Sequence, residues 1–414
     1  MKTLAATASV VGVLAAGARA DPYALTANAL ATTASPAGLV TVSTHADPTS
    51  NVSVEAVMWT GGGGDLIGDR PGDVLVMVMR ARTADGLASG KLGRFVAMLG
   101  ALRPIQIDGA AARVRLPHRF AIETYGGVPV IPDLAASRAW DWVVGGRISR
   151  EVGDAGSIGL AYLQQRDYGR LASEEVGVDG GAALGKRDDL AAALAYDVAN
   201  PGLAEARITA THRRGDLKTE LFATYRAASH ILPATSLFTV LGDIPAELVG
   251  VTATWRAAPR LDVVADLAIR HADGSPIDGP AVAQPLALSS ATDPVAGSTA
   301  PEAFVRAKLR LDDRGASALG CELRRDGVGA AGWTGASGSA RIALSSAFAA
   351  STELELVVPD HDRGLGAVWP WGLVALSYNR GGWQAAAAVE ASASPSDRRR
   401  IDALVQLGRT WSTR

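Results

Sequence analysis

In the stretch RLDVVADLAIR, Leu261, Val263, Ala265, Leu267 and Ile269 alternate with Asp262, Asp266 and Arg270. Successive side chains of a strand leave opposite faces, so this is a strand with one apolar and one polar face. The pattern returns in AFVRAKLRLD, LKTELFATYR, LVGVTATWR, STELELVV, WQAAAAVEAS and RIDALVQLGRTW. Globular strands centre on about 5–6 residues, whereas a tilted strand crossing a bilayer needs about 9–11. The recurring length favours an apolar face turned to lipid over one turned to a protein core.

The same period places strands from 52–60 through 399–411, with a further candidate at 38–44. Short polar joins such as LPHR, LGKRDD, RRGD, AAPR and DDRG alternate with longer ones at 61–72, 127–138, 228–246, 271–301 and 326–337. Outer-membrane barrels alternate short periplasmic turns with long external loops, and a sandwich has no reason to keep that parity. After the first twenty or so residues no apolar run reaches the roughly 18–20 needed for a spanning helix. A membrane form of this chain must then be a closed barrel, which satisfies every backbone group in lipid. The expected fold is all-β: a closed antiparallel transmembrane barrel of about 18–20 strands (range 16–20), with both termini on the periplasmic side.

The chain opens MKTLAATASVVGVLAAGARADP, with a basic Lys2, a short apolar stretch and the small-x-small Ala18-Arg19-Ala20. This reads as a secretory leader over residues 1–20, cleaved before Asp21. Residues 21–51 read as an N-terminal periplasmic segment with at most one strand, and 52–414 as the barrel. Export and barrel together point to the outer membrane of a Gram-negative bacterium. The net charge of −2 argues against a nucleic-acid surface. Cys321 is the only cysteine, so no intrachain disulfide can form. Trp59, Trp140, Trp142, Tyr196, Tyr225, Trp255, Trp369, Trp371, Tyr378, Trp383 and Trp411 mostly fall near segment ends, where aromatic girdles belong.

The leader, the hairpin series and the segment LGRFVAMLGALRPIQIDGAAARVRL (92–116) together make the chain resemble bacterial outer-membrane porin-like β-barrels. That segment is similar to a GR…G…DG hairpin of porin-like barrels that carry anionic or sugar substrates. The resemblance implies the bilayer, small polar solutes and the outer-membrane assembly machinery as partners. Such barrels usually end in an aromatic residue; here the last strand holds Val405, Leu407 and Trp411, and the chain continues to Arg414.

No catalytic constellation stands out. The histidines His45, His118, His212, His230, His271 and His361 are scattered, without metal-ligand spacing. PDHDRG (359–364) reads as a solvated turn, and GGGGD and GLASGK lack the spacing of phosphate-binding loops. The expectation is a non-enzyme with no cofactor and no metal.

The wall of the lumen remains. An arginine or lysine on the lipid face at mid-depth costs about 2–4 kcal/mol, so the charged parity must point inward. This nominates Arg113, Arg115, Arg147, Asp262, Asp266, Arg306, Lys308, Arg310, Glu353 and Glu355 as pore-lining. Arg306, Lys308 and Arg310 form a basic ladder and Glu353 and Glu355 an acidic stripe, which together set a transverse field. The apolar join SHILPATSLFTVLGDIPA, with Ile231, Leu237 and Phe238, is the expected constriction loop. The leading reading is a channel for passive diffusion of small polar, preferentially anionic, solutes. A scaffold barrel holding a periplasmic or surface partner, and a soluble secreted β-protein, fit the same residues. Conductance separates the first from the second, and fractionation separates the third.

Overall fold

The computed structural model describes residues 23–32, 37–62, 72–130, 141–153, 155–227, 246–272, 299–327, 332–360, 368–393 and 400–412. The leader at 1–20, Trp140 and the expected constriction residues Ile231, Leu237 and Phe238 lie outside them. The first strands are β1 (Tyr23–Thr32), β2 (Ala37–Thr49), β3 (Val52–Gly62), β4 (Gly72–Arg82), β5 (Ala88–Ala97), β6 (Ile105–Leu116), β7 (Phe120–Pro129) and β8 (Trp142–Val152). There follow β9 (Gly156–Asp167), β10 (Arg170–Ala183), β11 (Asp188–Asp197), β12 (Gly202–Arg214), β13 (Leu217–Arg226), β14 (Ala246–Ala258) and β15 (Leu261–Ala272). The last are β16 (Thr299–Arg310), β17 (Ala318–Asp326), β18 (Trp333–Ala343), β19 (Phe348–Pro359), β20 (Trp369–Arg380), β21 (Trp383–Ser392) and β22 (Arg400–Ser412).

Each strand pairs antiparallel with its neighbour in sequence, forming one 22-stranded sheet. In addition β1 pairs with β22, in register from Ala24–Ser412 to Thr32–Leu404. β1 is thereby paired on both sides, with β2 and with β22. The 22 strands exceed the expected 18–20. The surplus lies at the start, where β1 and β2 occupy most of the stretch read as a periplasmic segment with at most one strand. The cause is local: YALTANALAT carries no charged residue, so its polar face is only Thr and Asn and its period is faint.

The sheet has two chemically distinct faces. One carries Leu267 and Ile269 (each 57% exposed), Val305, Leu323, Leu354, Val374, Val389, Val405 and Leu407, all exposed. Cys321 lies on this face and is also exposed. Direct cross-strand pairs such as Leu267–Ala303, Val305–Leu323 and Val389–Val374 keep this apolar parity from strand to strand. A soluble sandwich would cover such a face with a second layer, yet these side chains stand open. The other face carries ion pairs. Leu261 and Val263 share the apolar parity but are half-buried. No helix among the described residues is long and apolar enough to cross a membrane.

Connections alternate in character along the whole sheet. At the end holding the C-terminus they are compact, as at 83–87, 215–216, 311–317, 344–347 and 381–382. Glycines at positive φ close several of these, including Gly215 (φ 58°) and Gly381 (φ 59°), a conformation costly for a residue with a Cβ. At the other end the described joins are 98–104, 168–169 and 198–201, and 98–104, between β5 and β6, is the longest of these.

Candidate functional site

Met98 to Pro104 leaves β5 and folds against the polar face of the sheet instead of standing clear of it. Leu99 and Leu102 are each 4% exposed and pack with Phe95, Ile105, Ile107, Tyr125, Val143, Ala161, Leu163, Ala195 and Ala204. Burying each leucine contributes about 1.5–3 kcal/mol, enough to hold a short segment down. Arg103 forms an ion pair with Glu175 of β10, whose side chain is fully buried.

Small residues make the close approach feasible. A Cβ at Gly177 of β10 would lie 2.8 Å from Leu102 Cδ2 and 3.3 Å from Ala101 Cβ. A Cβ at Gly100 would lie 1.9 Å from Asp179 Oδ2 and 2.9 Å from Arg147 Nε. The tip of the segment thus rests directly on an ion-pair cluster. In it Arg147 of β8 donates to Asp179 of β10 at 2.6 and 3.0 Å and to Glu123 of β7 at 3.2 Å.

The GR…G…DG signature anchors both ends of this excursion. Arg94 grips Asp108 with two bonds, Nε to Oδ1 at 2.7 Å and Nη2 to Oδ2 at 2.8 Å. Its Nη1 reaches Asp73 Oδ1 at 3.1 Å and the Val74 carbonyl at 2.7 Å. Paired forks of this kind fix geometry as well as charge. Gly93 has φ +123°, and a Cβ there would meet the Met77 carbonyl at 2.0 Å.

The sequence-nominated residues fall on the polar parity, and most have partners. Arg306 pairs with Glu322 of β17 at 2.5 Å, and Arg310 with Asp262 of β15 at 3.4 Å. Asp262 also lies 3.6 Å from Arg256, and Asp266 accepts the Thr252 hydroxyl. Arg113 lies 3.7 Å from Glu123. The ladder of like charges on β16 is therefore largely compensated by its neighbours. Arg115, Lys308, Glu353 and Glu355 have no ion-pair partner among the described residues. Arg207 and Arg341, on the same parity, are likewise without one.

Aromatic placement divides in two. Trp142, Tyr196, Trp255, Trp383 and Trp411 are 38–50% exposed on the apolar face, as a girdle requires. Trp369 is 4% exposed, and Trp371 donates its indole N–H to Glu390 at 2.8 Å on the polar face. Those two belong to the interior lining and not to a girdle. Among the described residues no group of three or more His, Cys, Asp or Glu could hold a metal.

Sequence reasoning had no direct signal for Leu99, Gly100, Leu102, Arg103, Glu175 and Asp179 as one cluster. The available hint was AMLGALRPIQI, whose apolar residues break the two-residue period on either side of a glycine and a proline.

No family model matches this chain, and no curated protein matches it. Solved structures do. The chain is similar to the translocation pore of the P pilus usher PapC (9% identity, TM-score 0.52), covering 95% of this chain and 99% of that one. It is also similar to the siderophore receptor PirA from Pseudomonas aeruginosa (8% identity, TM-score 0.51), covering 94% and 80%. At the level of fold alone, the chain resembles outer-membrane β-barrels.

Proposed function

We propose that the sheet closes as a transmembrane barrel in the bacterial outer membrane and serves as a channel for passive diffusion of small polar solutes. The separation of the two faces carries this reading: open leucines, valines and isoleucines on one, and ion-paired charges on the other. Only lipid outside and water inside suit both faces at once. Lumen diameter grows with strand number, so a ring of 22 strands encloses space for water unless chain folds into it. The segment 98–104 does fold in, on the side of β7–β12, and narrows the passage there.

The residues left without partners set the expected selectivity. Lys308, Arg115 and Arg341 lie towards the compact-turn end of their strands, with Arg207 nearer the middle. Glu353 and Glu355 lie on the polar parity near the middle of β19. A mild preference for anions follows at the compact-turn mouth. Export by the 1–20 leader and insertion by the outer-membrane assembly machinery belong to the same reading. Liposomes carrying the refolded protein are expected to swell in isotonic solutions of small uncharged sugars and amino acids. Inserted protein that admits neither would favour a scaffold barrel instead.

A further inference from the structure

Arginines of this sheet pair with carboxylates or lie over rings, and some polar-face ones do both, as Arg306 does over Phe304. On the polar face Arg147, Arg270 and Arg306 each reach a carboxylate, at 2.6, 2.7 and 2.5 Å. On the apolar face near the compact turns, Arg150 and Arg409 lie over aromatic rings. Arg409 of β22 has its guanidinium 4.3 Å from the Trp383 ring and 5.4 Å from the Trp411 ring. Its Nε is buried and without a hydrogen-bond partner. Arg380 of β20 lies directly across from Trp383 on the other side, exposed and with no ion-pair partner among the described residues.

Register puts all four residues on one patch. Arg380 and Arg409 are each the cross-strand partner of Trp383, so their Cα atoms stand about 10 Å apart, two strand spacings. The outward parity of β19–β22 holds no carboxylate; the next one, Asp360, lies just past β19 at the far end of the sheet, where it pairs with Arg325. Arg150 over Phe120, 5.1 Å apart, repeats the arginine-on-ring arrangement at the same end. Two cations, flat indoles and open valines below them make a surface that is charged at the rim and apolar beneath. A free anion would use only the rim; a phospholipid matches both layers.

We infer that Arg380, Trp383, Arg409 and Trp411 form a binding site for the headgroup phosphate of an anionic phospholipid in the leaflet on the compact-turn side. This rests on the membrane reading above. The two guanidiniums hold the phosphate, the indoles keep Arg409 extended along the wall, and Val405 and Leu407 contact the acyl chain.

The test uses the full chain refolded into vesicles of equal phosphatidylglycerol and phosphatidylcholine, then extracted and exchanged into detergent. The retained lipid should be enriched in phosphatidylglycerol, and Arg380→Gln and Arg409→Gln should each lower that enrichment about five-fold. Arg409→Lys, which keeps the charge, should retain most of it, and Arg306→Gln all of it. Retained lipid of the same composition as the vesicle, or enrichment that survives the double glutamine variant, would overturn the site. An equal loss in Arg409→Lys and Arg409→Gln would overturn its electrostatic basis. Swelling in vesicles of phosphatidylcholine alone keeps the two readings apart. Swelling without enrichment leaves the channel and removes the lipid site; enrichment without swelling leaves the lipid site and removes the channel.

Discussion

Gly100 has φ +56°, and its absent Cβ leaves the room that Asp179 and Arg147 occupy. Gly100→Ala adds about 1–2 kcal/mol of backbone strain and pushes a methyl group into that ion pair. The segment 98–104 should lift from the wall, raising single-channel conductance. Unchanged conductance at unchanged thermal stability would place the segment outside the conduction path. The charges of β16 make a second residue-scale case. Arg306 and Arg310 have carboxylate partners, so glutamine at these positions trades one neutralised charge for a released acid. Lys308→Gln removes a cation with no ion-pair partner. The triple variant should shift the reversal potential towards cations, with Lys308→Gln giving a shift in the same direction alone. No shift in either, with conductance intact, would mean the ladder only braces the wall.

At the scale of elements, the turn 311–317 shows how a compact connection is fixed. The Asp312 carboxylate accepts the Ala316 N–H at 2.9 Å and the Ser317 N–H at 2.6 Å. These bonds, that from Ala316 first, hold its pKa below the ordinary carboxylate value against the opposing effect of burial. A depressed pKa means the contribution is complete above the unfolded value of about 3.9 and is lost as pH falls through the lower folded value. Asp312→Asn should speed hydrogen exchange at the Ala316 and Ser317 amides near neutral pH, and the native turn should lose its protection only in acid. Equal exchange in both proteins would remove this role. Strands such as β15 and β16 were legible because their charges fall on one parity, opposite the apolar residues. β1 was not, because Ala, Leu, Thr and Asn mark its faces weakly. The segment 98–104 escaped for another reason. Its fold depends on Gly177, Glu175 and Asp179, more than seventy residues away, and no local period reports such contacts. The signature Arg94…Asp108 was visible, and the structure supplies its meaning as a paired clasp at the base of that excursion.

For the whole molecule, 22 strands with β1 against β22 give an even count, which puts the start of β1 and the end of β22 on the compact-turn side. The parity of short and long joins in the sequence already implied this arrangement, since a hairpin series keeps alternate ends together. The lumen's width, by contrast, depends on strand number, and the 22 strands exceed the sequence expectation, while the expected constriction residues Ile231, Leu237 and Phe238 lie outside the described residues. The most direct measurement of the central claim is single-channel recording of the refolded chain in planar bilayers. Discrete, ohmic current steps of uniform size are expected, present without added partner or cofactor. Protein that demonstrably inserts yet yields no steps would contradict that claim.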